Sequence, residues 1–400
     1  MLEKALIKEN NRIFWYWILS LVVLVGVGFN SYLHQLDQGL TVTGLSRDIS
    51  WGLYIGQFTF FVGVAASAVM LVLPYYLHNV KEFGRITVVG EFLAVSAVIM
   101  CMLFIIVDMG MPMRVLNMFL YPTFNSPMFW DATVLTGYLL LNIFIGWNVL
   151  EAESKGVNPP KWVKTLIIIS IPWAVSIHTV TAFLYAGLPG RHYWLTALIA
   201  PKFLASAFAT GPALLILICF LLKKFAGFDA GKKAIQKLAL IITYAMSISI
   251  FMVAVEFFTA FFSQVPGHMV TLQYLFVGAH GYSQFVAIMW IFVILAVLAL
   301  GLLIPRKTRE NDKTLIIACI FVFVSMFIEK GLTFVIGGLS ENPFGEITPY
   351  IPGIHEVLIS IGIWALGIMI ASLFYKMVVS VKRESDFANA SFNKQEMRDC

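Results

Sequence analysis

Residues 51–77 read WGLYIGQFTFFVGVAASAVMLVLPYYL, a run of 27 residues without one acidic, basic or histidine side chain. As a helix it would rise about 40 Å, more than the roughly 30 Å of hydrocarbon in a bilayer. The apolar residues are consecutive and do not alternate, which argues against a strand of a membrane barrel. Backbone N–H and C=O groups in lipid need partners within their own segment, so the run is predicted to be a helix. Gly52, Gly56, Gly63, Ala65, Ala66, Ser67 and Ala68 make it suited to close packing against other helices.

Nine more runs of this kind occur, at 14–32, 86–108, 130–150, 162–186, 196–222, 238–262, 277–304, 314–336 and 354–379. The chain of 400 residues is 60% hydrophobic and 12% charged, with a mean hydropathy of +0.85. Soluble proteins have about twice that charged fraction. The balance excludes a soluble enzyme, a nucleic-acid binder and a disordered protein. It predicts an all-α polytopic membrane protein, with one domain over residues 1–380 and a polar tail at 381–400. Two spans rich in small residues, the second and the sixth, suggest parallel repeat units at 51–186 and 196–336.

Lysine and arginine orient the spans. Twenty-two of the 27 basic residues fall at the N-terminus, in alternate loops and in the tail, four (Arg47, Arg114, Arg191, Lys202) fall on the other side, and Lys330 lies within a span. The even span count then puts both termini in the cytoplasm of a prokaryote. Lys4, Lys8 and Arg12 precede an apolar stretch that imitates a signal peptide, but no small-residue cleavage pattern follows, so a retained first helix is expected. The outer loops are rich in proline and aromatics and suit a rigid cap or a docking surface; an interfacial aromatic belt accounts for part of them equally well. Cys101, Cys219 and Cys319 sit in apolar runs and Cys400 at the end, with no CxxC. That pattern points away from an iron–sulfur cluster, a c-type haem or a disulfide framework, and no metal site is expected.

Charge within a bilayer costs at least about 2.5 kcal/mol per group, so ionisable residues there usually face protein. Asp108, Asp131, His178, Glu256, His280, Glu329, Lys330, His355 and Glu356 all map to the outer half, and only Glu91 lies toward the cytoplasm. Asp131 and Glu356 stand near helix N-termini, where a carboxylate is favoured without any further role. Lys330 is close enough to the outer end to snorkel. His178, Thr181 and Tyr185 share one helical face, as do Ser325, Glu329 and Thr333. The first set suits a small redox or proton-carrying ligand, although a buried histidine held by one hydrogen bond has the same appearance. A bis-histidine haem would need a second histidine at comparable depth, and none is present, so haem in this chain is not expected.

Specific strings add to this. Trp51-Gly52-Leu53-Tyr54 is followed by Asp108-Met109-Gly110-Met111-Pro112-Met113-Arg114 and then by Ser126-Pro127-Met128-Phe129-Trp130-Asp131. The D-x-G-x-P-x-R element followed by S-P-M-x-W resembles the NrfD/PsrC family of quinone-reactive membrane subunits. Ser176–Thr181, Pro189-Gly190-Arg191 and Ala200-Pro201-Lys202-Phe203 resemble its ten-helix, DsrP-type branch. The resemblance implies two four-helix bundles, spans two to five and six to nine, flanked by the first and tenth. It implies menaquinone as substrate near the outer face and no redox centre in the chain itself. It further implies a ferredoxin-like iron–sulfur partner at that face, haem-containing membrane and multihaem cytochrome partners, and a place in dissimilatory sulfur metabolism such as sulfite reduction.

On that reading Asp108, Asp131 and His178 are candidates for proton acceptor and for partners of the quinone oxygens. Trp51, Tyr54, Gln57, Thr181 and Tyr185 would line the head-group pocket, with Arg114 ordering the adjoining loop by pairing with a carboxylate. Glu91, Glu256, His280 and Glu329 are candidates for a proton path. Two other classes remain open from sequence: a proton-coupled secondary transporter, for which intramembrane acids and a repeat would also serve, and a purely structural anchor of a redox complex.

Overall fold

The computed structural model describes residues 12–78 and 80–399, with side chains described as far as Glu384. Lys4, Lys8, Cys400 and the side chains of Lys394 and Arg398, which enter the orientation and cysteine arguments, lie outside the described residues.

Ten helices among the described residues are long and apolar enough to cross a membrane: Arg12–Val42, Leu53–Leu77, Thr87–Asp108, Pro127–Ser154, Lys161–Ala186, Ile199–Ala226, Lys232–Phe262, Val286–Leu303, Asp312–Ser340 and Ile354–Glu384. They are numbered one to ten below. No strand occurs among the described residues, only the bridges Ala279–Tyr282 and Glu341–Ile347. The all-helical, ten-span expectation therefore stands. The eighth span begins at Val286 and not at 277, because Pro266–Phe276 forms a helix of its own. Gly278, His280 and Gly281 then turn the chain with positive φ, a conformation that ends any helix. The tenth span continues as helix to Asp399, and Val381 and Lys382 are buried within it.

The second and third spans are central, with 72% of their most apolar windows buried against 11% for the first span. The second packs on the third, sixth and ninth; the first and tenth pair with each other, and the tenth also lies along the third. Glycine makes two of these approaches possible. A Cβ on Gly56 would stand 1.9 Å from the Gly331 carbonyl oxygen, and one on Gly28 would stand 2.6 Å from the Gly362 Cα, so these backbones touch with no room for a side chain.

Two central spans are irregular. The second breaks between the helices Leu53–Ala65 and Val69–Leu77, where Ala66 and Ser67 bond three residues back, to Gly63 and Val64. Gly211 of the sixth span lies against that break, its would-be Cβ 2.9 Å from the Ser67 nitrogen. The ninth winds as a π-helix over Phe327–Thr333, a rare form that often marks function.

Alternate loops share an end, as their contacts demonstrate. At the charge-poor end Arg191 donates to the carbonyls of Asp48, Leu339 and Glu341 at 2.7, 2.9 and 2.8 Å. There Glu356 also accepts from the backbone N–H of Gly44 and Leu53 at 3.0 and 3.1 Å and from the Tyr350 hydroxyl. Glu356 thus serves as a helix-end acceptor, tying the start of the second span to the start of the tenth. At the basic end Lys237 pairs with Glu82 and Lys382 with Glu153. The loop after the third span stays apart from the interlocked cap: Met113 is 93% exposed and Tyr121 76%.

Candidate functional site

The register of the fourth and fifth spans sets the first part of the site. Gly137 leaves space for the Trp173 indole, whose ring atom would stand 2.3 Å from a Cβ there, and Trp173 donates to the Val134 carbonyl at 2.8 Å. With this lock the antiparallel helices bring Asp131 opposite Thr181. The Thr181 hydroxyl lies 2.6 Å from the Asp131 carboxylate, and both residues are buried. One turn deeper His178 is fully buried with neither ring nitrogen hydrogen-bonded. One turn outward Tyr185 shares a short hydrogen bond with Thr59 of the second span. Its ring sits among Trp51, Trp194, Phe203 and Phe334.

Asp108 is the second acid at this end of the bundle. Asp108, last residue of the third span, has one buried carboxylate oxygen with no hydrogen bond. Beside it the Tyr54 hydroxyl lies 2.7 Å from Gln35, whose amide donates to the Val107 carbonyl at 2.6 Å. The site therefore collects Trp51, Tyr54, Asp108, Asp131, His178, Thr181 and Tyr185 on the inner faces of spans two to five near the charge-poor end. Next to it, between the fifth and sixth spans, a groove of about 280 Å³ is lined by Ala182, Phe183, Ala186, Leu195, Thr196, Ala197, Ile199 and Ala200. Ala182 and Ala186 lie on either side of Tyr185 in sequence, and the groove opens to the outside of the bundle.

Other expected residues fall elsewhere. Gln57 is buried but accepts from the Trp364 indole of the tenth span at 3.0 Å. Arg114 is exposed on the turn Pro112–Arg114, and among the described residues it pairs with no carboxylate, so its expected ordering role has no contact behind it. His280 is exposed on the tight turn before the eighth span. Glu91 is buried with both oxygens unpartnered, facing Gly146 of the fourth span far along the third helix from Asp108.

Glu256 and Glu329 meet at Lys202, which the charge count assigns to the outer side. Lys202 lies inside the sixth span, 3% exposed, with its ammonium 2.7 Å from Glu256 and 2.6 Å from Glu329. Lys330 does not snorkel; it is buried over the Phe203 ring, 4.2 Å from its centre. This correction has one cause: position along an apolar run does not fix depth. Lys202 stands six residues inside the run 196–222, and that is the available signal.

Outside the spans, partial burial pulls the Arg191 guanidinium below its ordinary pKa, against the opposing influence of Asp48. Burial pushes Glu341 up, although it accepts from Thr271 at 3.1 Å. No group of three or more metal-ligating side chains is assembled among the described residues.

A family model described as polysulphide reductase, NrfD, matches residues 41–339. The chain belongs to this family. The NrfD match runs from the loop before the second span to the end of the ninth, so it includes every residue of the site above. Related chains extend the likeness to the full length. A putative membrane subunit of dimethyl sulfoxide reductase from Halobacterium salinarum is 25% identical, over 89% of this chain and 88% of its own. A selenate reductase subunit from Mesobacillus selenatarsenatis is 23% identical, over 93% and 95%. The Hdr-like menaquinol oxidoreductase integral membrane subunit of Archaeoglobus fulgidus is 22% identical, over 92% of each chain.

Proposed function

We propose that this NrfD-family chain is the quinone-reactive membrane subunit of a redox complex in a prokaryotic cytoplasmic membrane. Its termini face the cytoplasm and its site lies near the outer face. The substrate is menaquinone, exchanged with the lipid phase, and electrons pass to or from an iron–sulfur partner docked on the outer loops. Haem-containing membrane and multihaem cytochrome subunits complete the assembly, and the complex serves respiration on sulfur compounds. Relatives whose names include menaquinol oxidoreductase and reductase membrane subunits support the class of reaction.

The observation that carries this reading is the pairing of the Asp131–Thr181 hydrogen bond with an unpartnered, fully buried His178 below an aromatic enclosure. Oxidation of a menaquinol breaks two O–H bonds and sends two electrons to a partner, so the protein must receive two protons. The unpartnered imidazole nitrogens of His178 supply one acceptor. Asp131 supplies the other, held in orientation by Thr181. Trp51, Tyr54 and Tyr185 provide flat faces and hydroxyls suited to a fused aromatic ring, and Asp108 lies beside them as a second carboxylate. The groove between the fifth and sixth spans offers the ring a lateral way in from lipid.

The test uses the intact complex, a water-soluble menaquinol analogue and an artificial electron acceptor. His178→Ala and Asp131→Asn should each lower turnover about 10²-fold or more, the usual contribution of a positioned acid or base, without loss of partners. Unchanged turnover in both assembled variants would mean that the chain is an anchor and that the quinone reacts elsewhere.

A further inference from the structure

The site as described receives the ring and the oxygens of a quinone but leaves its chain without a place. A membrane quinone carries a polyisoprenoid substituent on the ring, and that chain has to return to lipid between two helices. Several seams around Trp51, Tyr54 and Tyr185 are closed to it. The second and ninth spans touch backbone to backbone at Gly56 and Gly331, and the Trp173 indole fills the space at Gly137 between the fourth and fifth. At Gly338 of the ninth span the Trp194 indole does the same, 2.2 Å from where a Cβ would stand.

The seam between the fifth and sixth spans is different. Ala182 and Ala186 on one side and Ala197 and Ala200 on the other leave the groove of about 280 Å³. Its floor reaches the core, since Ala182 and Ile199 are fully buried, while Phe183 and Leu195 form exposed lips. Among the described residues no charged side chain lines it, and its one side-chain hydroxyl, on Thr196, accepts from the Leu198 N–H at 3.2 Å. Thr181 and Tyr185 of the site are the neighbours of Ala182 and Ala186, about 100° away around the fifth helix. Site and groove therefore share the same two turns of one helix.

The groove is also held in shape. Its far lip continues a segment fixed at two points: Arg191 donates to the carbonyls of Asp48, Leu339 and Glu341, and the buried Trp194 indole donates to the Phe334 carbonyl at 3.1 Å. The Thr196 N–H then closes on the Trp194 carbonyl at 2.9 Å. Leu195 and Ala197 are thereby set in advance, and a preformed wall spares a ligand the cost of ordering it.

We propose that this groove is the subsite for the first isoprene units of the quinone's chain while the ring occupies the site inside. The inference rests on the quinone reading of that site. An apolar cavity of about 150 Å³ takes one benzene, so by the same measure a groove of about 280 Å³ takes about ten carbons, roughly two isoprene units. Lipid chains are as apolar as the groove, so its selectivity comes from close contact and not from escape from water. The ring passes inward by this route and the chain stays in it, leading back to lipid between Phe183 and Leu195.

The test compares two quinols in the intact complex: a menaquinol bearing several isoprene units and the water-soluble analogue bearing none. Ala197→Leu and Ala200→Leu, singly and together, put side chains into the groove. Overfilling a packed space costs enough that KM for the chain-bearing quinol should rise about tenfold more than KM for the chainless one. A ratio of the two KM values equal to the parent's would overturn the proposal and leave the groove to a phospholipid acyl chain. An equal rise for both quinols would overturn it too, because it marks a general disturbance of the site. Should the double variant not assemble, Ala197→Leu decides, since Ala197 is exposed. A second measurement needs no variant. A menaquinone with a photoreactive diazirine in its second isoprene unit should label residues 182–186 and 195–200, and labelling confined to other segments overturns the subsite. A native complex that turns over neither quinol refutes the quinone site itself, which is a different failure.

Discussion

Lys202→Met is the sharpest perturbation of the fold, because one side chain holds two buried carboxylates on two different helices. Lys202 is 3% exposed, and its ammonium is 2.7 Å from Glu256 and 2.6 Å from Glu329. Methionine fills nearly the same volume, so packing is kept and the loss is electrostatic. Removing one partner of a buried pair costs about 3–5 kcal/mol, since the other charge stays buried without compensation. Here two carboxylates are stranded together, so the upper part of that range applies, roughly three to four powers of ten in the folding equilibrium. The sixth, seventh and ninth spans lose their common tie. The control is the uncharged triple variant Lys202→Met, Glu256→Gln, Glu329→Gln. Replacing all members of a buried ionic group is often close to neutral, so the triple variant should recover most of the lost stability. Denaturant unfolding in detergent, followed by helix content, measures both. A Lys202→Met protein as stable as the parent would refute the argument, as would a triple variant no better than the single one.

Two further expectations concern packing and pH. Gly56→Ala puts a methyl where the Gly331 carbonyl oxygen is 1.9 Å away; it must push the second span off the ninth and should cost about 1–3 kcal/mol or more. Gly301→Ala meets nothing within 4 Å and should be neutral or stabilising by up to about 1 kcal/mol, so equal behaviour of the two in thermal unfolding would contradict the close crossing. Glu341, in the loop between the ninth and tenth spans, has its pKa raised above the ordinary 4.5 by burial. Its contribution to stability is thus full below about pH 4.5 and is lost as pH rises through the folded-state value. Glu341→Gln should be more stable than the parent at neutral pH, and the gap should close on acidification; a gap that widens there has the wrong sign.

How much of this is legible in the sequence depends on the kind of signal. The ten spans are, because a run such as 51–77 leaves the backbone no alternative in lipid. The face shared by His178, Thr181 and Tyr185 is too, since an unbroken helix keeps its 3.6-residue period, and all three side chains are buried together. Partners on other helices are not. Nothing local says that Gln57 faces Trp364, that Thr59 meets Tyr185, or that Gly137 admits Trp173 and so fixes the register that joins Asp131 to Thr181. The start of the eighth span is misplaced by the sequence because residues 277–285, mostly apolar or small, extend the hydrophobic run ahead of Val286 without being helical. Lys330 is misjudged because a lysine near the end of a run has two options, reaching water or finding a carboxylate or ring. Only the packed helices decide between them.

That choice separates two groups of buried ionisable residues. The first group of ionisable residues contains acceptors with open hydrogen-bonding capacity: His178 with both nitrogens free and Asp108 with a free oxygen. The second is saturated, with Lys202 paired to two carboxylates. An open group can take up a ligand's protons, while a saturated one resists them unless another charge arrives to rebalance it. Lys330 follows Glu329 on the ninth span, and its helix departs from regular winding at the turn that holds both. Regular α-helical winding through that turn would alter where Glu329 and Lys330 point relative to one another, so the irregularity and the placement of both side chains belong to one arrangement. The same turn includes Gly331, whose carbonyl meets Gly56. A shift of the second span against the ninth would therefore act directly on the backbone that carries Lys330.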